Sequence, residues 1–167
     1  MIDPDIFLDF LKERRSIRAF QDKTLSEKEI EMILEAGRWS PSANNRQPWN
    51  FIVIKNKEIL MKITMNASYG KFIKEAPVAI AIIGKIRRSQ KWYIIDPSLV
   101  SMNMMLIAWT LGIGTCWIGA MNREKVKKLL GLGENDYLLT ILPFGYIRGN
   151  IPGPTSRKPL NKIVKEL

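Results

Sequence analysis

Arg14-Arg15-Ser16-Ile17-Arg18-Ala19-Phe20 decides how the rest of the chain is read, because it sets three arginines and a serine just past an amphipathic stripe. A guanidinium fork presents paired donors in one plane, and several together match a dense anion such as a phosphate. The competing reading is a solvated basic helix end that complements the helix dipole. Upstream, Asp3-Pro4 predicts an N-cap with proline in the first turn, and Ile6, Phe7, Phe10 and Leu11 predict one apolar face of a first helix.

A second segment, Ser40-Pro41-Ser42-Ala43-Asn44-Asn45-Arg46-Gln47-Pro48-Trp49, is a run of small and amide-bearing residues. Small side chains let backbone N–H groups approach a ligand, and Asn and Gln can read donors and acceptors on a heterocycle edge. Alone it reads as an ordinary loop. A third segment, Gly112-Ile113-Gly114-Thr115-Cys116-Trp117-Ile118-Gly119, reads as a buried strand turning at a glycine.

Taken in order, Arg-Arg-Ser-Ile-Arg-x-Phe, Ser-Pro-Ser-x-x-Asn-x-Gln-Pro-Trp and Gly-Ile-Gly-Thr-Cys-Trp-Ile-Gly resemble the nitroreductase family of FMN-dependent oxidoreductases. The resemblance covers nearly the whole chain. It implies an α+β fold with a central mixed, mostly antiparallel sheet flanked by helices, and a long buried central helix at a dimer interface.

Composition narrows the function classes independently. The 167 residues are 46% hydrophobic, which suits one compact domain over 1–167 with a real core. No apolar run reaches the ~20 residues that span a bilayer, and acidic Asp3 and Asp5 are unlike a basic signal-peptide start. One cysteine forms no internal disulfide, iron–sulfur cluster or structural zinc site, so a cytoplasmic setting and no metal are expected. With no histidine, Ser–His and Cys–His nucleophile systems are out, and a cofactor is expected to carry any chemistry. The net charge of +10 calls for anionic partners. Lys and Arg are scattered as well as clustered, and nucleic-acid motifs are missing, so a charge-driven nucleic-acid domain is the weakest reading.

Patterning predicts the elements. Ser26 with Glu29 forms a capping box for a helix carrying Ile30, Ile33 and Leu34 and ending near Gly37. Strands are expected at Phe51–Ile54, Val78–Ile83, Ile113–Ile118 and Leu138–Tyr146. Helices are expected at Ile59–Lys74, from the Asp96-Pro97 cap through Leu111, and at Asn122–Leu130; a last helical turn lies in the tail. The helix after Asp96 is apolar almost all round, so it should be buried on every side, most simply against a symmetry mate.

The resemblance assigns roles residue by residue. It implies that Arg14, Arg15 and Ser16 hold the FMN phosphate and ribityl chain, with Arg157 completing the phosphate site. Arg18 would stand near N1 and O2 of the flavin, where a fixed guanidinium favours the charge that reduction leaves. Pro41, Ser42, Ala43, Asn45 and Gln47 resemble the loop that reaches the ring from the partner subunit. Trp117, Ile118 and Gly119 match positions whose backbone N–H groups approach N5 and O4. Trp92 and Tyr93 are candidates for the substrate site, and Lys71 for a flavin-edge contact. Cys116 reads as a buried, inert thiol, and the tryptophans read as mostly core.

Together these imply a homodimer that takes hydride from NAD(P)H and passes electrons to a nitroaromatic, quinone or similar small oxidant by a ping-pong mechanism, without nucleic acid or membrane. The brief stretch between the second strand and the long helix implies an open pocket with modest substrate discrimination. Open alternatives are a flavin storage or electron-carrier module and, within the same class, a dehalogenase or a flavin-consuming ring-cleavage enzyme.

Overall fold

Four strands form one sheet in the computed structural model, which describes residues 2–167: β1 (Trp49–Ile54), β2 (Val78–Lys85), β3 (Ile113–Thr115) and β4 (Asp136–Tyr146). Their spatial order is β1-β2-β4-β3, and every ladder is antiparallel. The parallel part of the expected mixed sheet shrinks to a one-residue bridge between Ser16 and Thr115. The helices are α1 (Pro4–Glu13), α2 (Glu27–Arg38), α3 (Lys57–Met65), α4 (Ile95–Thr110) and α5 (Arg123–Leu129).

β2 shows why the sheet has two covers. Successive side chains on a strand face opposite ways. Ala79, Ala81 and Ile83 accordingly join one apolar cluster, with Leu60 and Ile63 of α3 and Val126 of α5. Val78, Ile80 and Ile82 join the other, with Ile30 and Ile33 of α2 and Val100, Met104 and Ala108 of α4. A central strand buried on both faces reads as an unbroken apolar run, as its sequence does. Truncating a fully buried residue such as Ile33 to Ala should cost about 2–5 kcal/mol.

Local signals explain most boundaries. The Asp3 carboxylate caps α1 by accepting the Asp5 and Ile6 N–H groups, and the Ser26–Glu29 box closes reciprocally on α2. Gly37, however, lies inside α2 rather than ending it. A Cβ there would stand 3.1 Å from Met104 Cγ and 3.2 Å from Val100 Cγ1, so glycine is what lets α2 and α4 come together.

Further expectations are corrected. The helix expected over Ile59–Lys74 breaks after Met65 and resumes only as the short turn Ile73–Glu75. There Asn66 O accepts the Asn122 N–H at 2.8 Å and the Ser68 N–H donates to Ala120 O at 3.0 Å, so pairing with residues 120–122 draws the chain out of the helix. The strand expected over Ile113–Ile118 stops at Thr115, and Ile118 pairs separately with Ile141.

Asp96-Pro97 is not the cap of α4, which starts at Ile95 and leaves Asp96 buried in its first turn. Nor is α4 covered on every side within this chain. Val100, Ser101, Met104, Met105 and Ala108 are buried, whereas Ile95, Leu99 and Met102 are exposed. The α1 stripe is similarly bare, with Ile6, Phe7 and Leu11 exposed. Of the five tryptophans, Trp49 is buried, Trp109 packs at the core edge, and Trp39, Trp92 and Trp117 are exposed, against the expectation of core.

Candidate functional site

The arginine motif is seated by the sheet edge. The Ile17 N–H donates to Thr115 O at 2.9 Å, so residues 14–18 run beside β3. Ile17 and Phe20 point into the core, which leaves Arg14, Arg15, Ser16 and Arg18 on or near the surface. Arg18 is exposed and Arg14 is half-buried.

The three arginines are not equivalent. Arg15 is already committed. Its Nε donates to the carbonyls of Pro152 and Gly153, each at 3.1 Å, and its Nη1 to those of Lys12 and Arg14. Arg15 therefore pins the tail to the end of α1 and brings Arg157 toward Arg14. Arg14 is the reverse case: its Nη1 is buried with no hydrogen-bond partner. Burial draws its guanidinium below the ordinary value; Cys116 opposes this, while the charges of Arg15 and Arg157 push it further down. A buried, unpaired guanidinium nitrogen beside two like charges is an unmet demand for an anion.

Next to it, Arg18, Tyr69, Phe72, Cys116, Trp117, Ile118, Gly119 and Ala120 line a small cavity of about 130 Å³. Its backbone donors are unequal. The Ile118 N–H is spent on Ile141 O at 3.2 Å, whereas the Gly119 N–H has no partner among the described residues. A Cβ on Gly119 would stand 3.2 Å from Trp117 Nε1, so the glycine keeps this rim open. Burial pushes the Cys116 thiol up, against the pull of Arg18, a Ser16 hydrogen bond and Arg14. It is buried, as its apolar neighbours in sequence predict, and the raised value disfavours the reactive thiolate.

The Ser40–Pro48 loop lines a different cavity, of about 320 Å³, with Ser40, Pro41, Asn45 and Gln47 beside Arg38 and Trp39. Asn44, Asn45 and Gln47 lie in the left-handed region, at φ of 52°, 52° and 48°. That region costs L-residues roughly 1–2 kcal/mol each, less for Asn, so contacts must hold it. The Gln47 N–H donates to Ser42 Oγ at 2.9 Å, Gln47 Nε2 donates to Asn45 Oδ1 at 3.0 Å, and the Ala43 N–H donates to Asp96 Oδ2 at 3.3 Å.

The sequence-predicted residues thus form two sets. Ser16 pairs with Thr115, Arg18, Trp117, Ile118 and Gly119 line the small cavity, and Arg15 and Arg157 lie near Arg14; Pro41, Ser42, Ala43, Asn45 and Gln47 stand on the loop. Tyr69, Phe72 and Ala120 join the first set and Asp96 and Asn103 support the second, with no sequence signal beyond the polarity of Asp96 and Asn103 in an apolar helix. Tyr93 packs edge-on against Tyr137 at 5.4 Å, and neither it, Trp92 nor Lys71 lines the two cavities just described. Among the described residues no cluster of His, Cys, Asp or Glu could hold a metal ion.

An antiparallel sheet between two helical covers, edged by an arginine cradle and a Trp-Ile-Gly turn, defines a class, and the sequence comparison agrees with it. The model of the Nitroreductase family matches residues 11–65 and 61–146, and this chain belongs to that family. It is 36% identical to a Methanothermobacter thermautotrophicus protein provisionally named NADH dehydrogenase/NAD(P)H nitroreductase, over 87% of this chain and 79% of that one. Among solved structures, a Bacteroides thetaiotaomicron protein with the same provisional name superposes with a TM-score of 0.90 at 29% identity, covering 98% of each chain. An FMN-dependent nitroreductase from Clostridium difficile R20291 superposes at 0.87 with 28% identity, covering 95% of this chain and 98% of that one.

Proposed function

We propose that this chain is an FMN-dependent NAD(P)H oxidoreductase, one domain over 1–167, working as a homodimer. The observation that carries this reading is the buried, unpartnered Arg14 Nη1 beside Arg15 and Arg157, which fits a phosphate monoester. Bound FMN would supply hydride acceptance from NAD(P)H and electron delivery to a nitroaromatic, quinone or similar small oxidant, in ping-pong order.

The chain's own part is binding and charge placement. Arg14 and Arg157 would hold the phosphate, with Ser16 beside it; Arg15 keeps the tail, and so Arg157, in place. Arg18 offers a charge at the cavity rim, of the kind that favours a reduced, more anionic cofactor. The Gly119 N–H is the uncommitted backbone donor of that cavity. The small cavity and the loop's cavity are separate in one chain, which supports a site completed by the loop of a second copy. Among the described residues no helix is long and apolar enough to cross a membrane. A cytoplasmic location fits the single unpaired cysteine.

The test is the visible spectrum of the FMN-loaded protein before and after anaerobic NAD(P)H. Rapid bleaching supports the oxidoreductase. A bound flavin that stays oxidised turns the assignment to storage or electron carriage, and no flavin binding overturns both.

A further inference from the structure

We infer that Asp96 and Asn103 of α4 are positioning residues that hold the Ser40–Pro48 loop in its working shape; the working shape itself rests on the flavin reading above. The two lie seven residues apart, two helical turns, and so project from one side of the helix. Asn103 Nδ2 donates to Ser40 Oγ at 2.8 Å, and Asp96 Oδ2 accepts the Ala43 N–H at 3.3 Å. The loop's exit is tied separately, the Lys85 N–H donating to Pro48 O at 2.8 Å. Entry, middle and exit are therefore each fixed to α4 or β2, and the left-handed residues Asn44, Asn45 and Gln47 lie between the last two ties.

Stability alone does not account for Asp96. It is 3% exposed, and among the described residues the Ala43 N–H is its one side-chain hydrogen-bond donor, with no ion-pair partner. A buried carboxylate so thinly satisfied is usually worse for folding than an apolar side chain of similar size. Its buried place in α4 is explained by what it does to the loop: with Asn103 on the same side of the helix, its Oδ2 accepts the Ala43 N–H and ties the middle of the loop to α4. The same helix exposes Leu99 and Met102, so the element that shapes the loop also carries the bare apolar face.

The experiment compares Asp96→Ala, Asp96→Asn, Asn103→Ala and Ser40→Ala with the parent protein. Amide exchange of Ala43 and Gln47 is followed by NMR without flavin, and FMN affinity by fluorescence titration. The expected result is at least tenfold faster exchange and at least fivefold weaker FMN binding in Asp96→Ala and Asn103→Ala. Asp96→Asn, which keeps an acceptor oxygen, should return both to near the parent values. Exchange rates and FMN affinity within twofold of the parent in the alanine variants overturn the inference. If Asp96→Ala does not fold, Asn103→Ala and Ser40→Ala decide it by the same criteria. A parent protein that binds no FMN overturns the flavin reading, and the exchange rates then still decide whether α4 clamps the loop.

Discussion

Gly114 lies flush against Ile17: a Cβ on the glycine would come within 2.6 Å of both the Ile17 Cβ and its Cγ2. The arginine motif can hug β3 only because this position carries a hydrogen. Gly114→Ala should push residues 14–18 away from the strand, at a cost of about 1–3 kcal/mol in overpacking. Thermal melting should fall, and FMN titration should weaken more than melting alone explains, since Arg14 and Arg18 ride on the displaced segment.

Arg14 and Arg157 should separate binding from stability. Arg14→Ala deletes a buried nitrogen that has no partner, so the flavin-free protein should melt at or above the parent temperature. Charge-assisted hydrogen bonds contribute roughly 1.5–3 kcal/mol, so each single variant should weaken FMN binding by about tenfold or more. The double variant should come through purification colourless yet folded. Full flavin occupancy in it would remove the phosphate assignment.

Two methionines on α4 distinguish core from interface. Met105 is buried within the chain, so Met105→Lys should fail at folding, with circular dichroism showing loss of the native transition. Met102 is exposed, so Met102→Lys should keep the fold. Light scattering should then show loss of the dimer together with loss of flavin. A flavin-bound monomer would contradict the shared site.

Glu29 should shape the acid limb of stability. Tyr146 Oη donates to Glu29 Oε1 at 2.6 Å, and that bond, with those from Ser26, holds the carboxyl below its ordinary value against a weak opposing effect of burial. A lowered folded value means the stabilisation is complete above the unfolded value of about 4.3 and is lost as pH falls through the folded one. Urea melts from about pH 5 downward should show a shallower loss for Glu29→Gln than for the parent, by a modest amount in keeping with a half-buried group that solvent still screens.

The parts of the fold that were legible are those written in neighbouring residues. Asp3 before Pro4, Ser26 with Glu29, and the two-faced apolar run of β2 each carry their own instruction, and the structure follows them. The misread parts depend on distant residues. Asp96 looks like a cap beside Pro97, yet its carboxylate answers Ala43, 53 residues earlier. Gly37 looks like a stop, yet its meaning is Met104. The helix after Lys57 ends where residues 120–122 offer a competing pairing. At the site, the cationic cluster was visible from its spacing. The division of labour between Arg14 and Arg15 was not, because it turns on which of them meets the carbonyls of Pro152 and Gly153.

Those two carbonyls carry a consequence for biogenesis. Arg15 closes on Pro152 and Gly153, and Arg157 follows at once, so the anion cradle joins residues near the start of the sequence to residues near its end. A growing polypeptide can form the first helix and the sheet, but it has no closed cradle until residue 157 has left the ribosome. An anion held by Arg14 and Arg157 together must therefore wait for the synthesis of residue 157, and its timing is written in the order of synthesis.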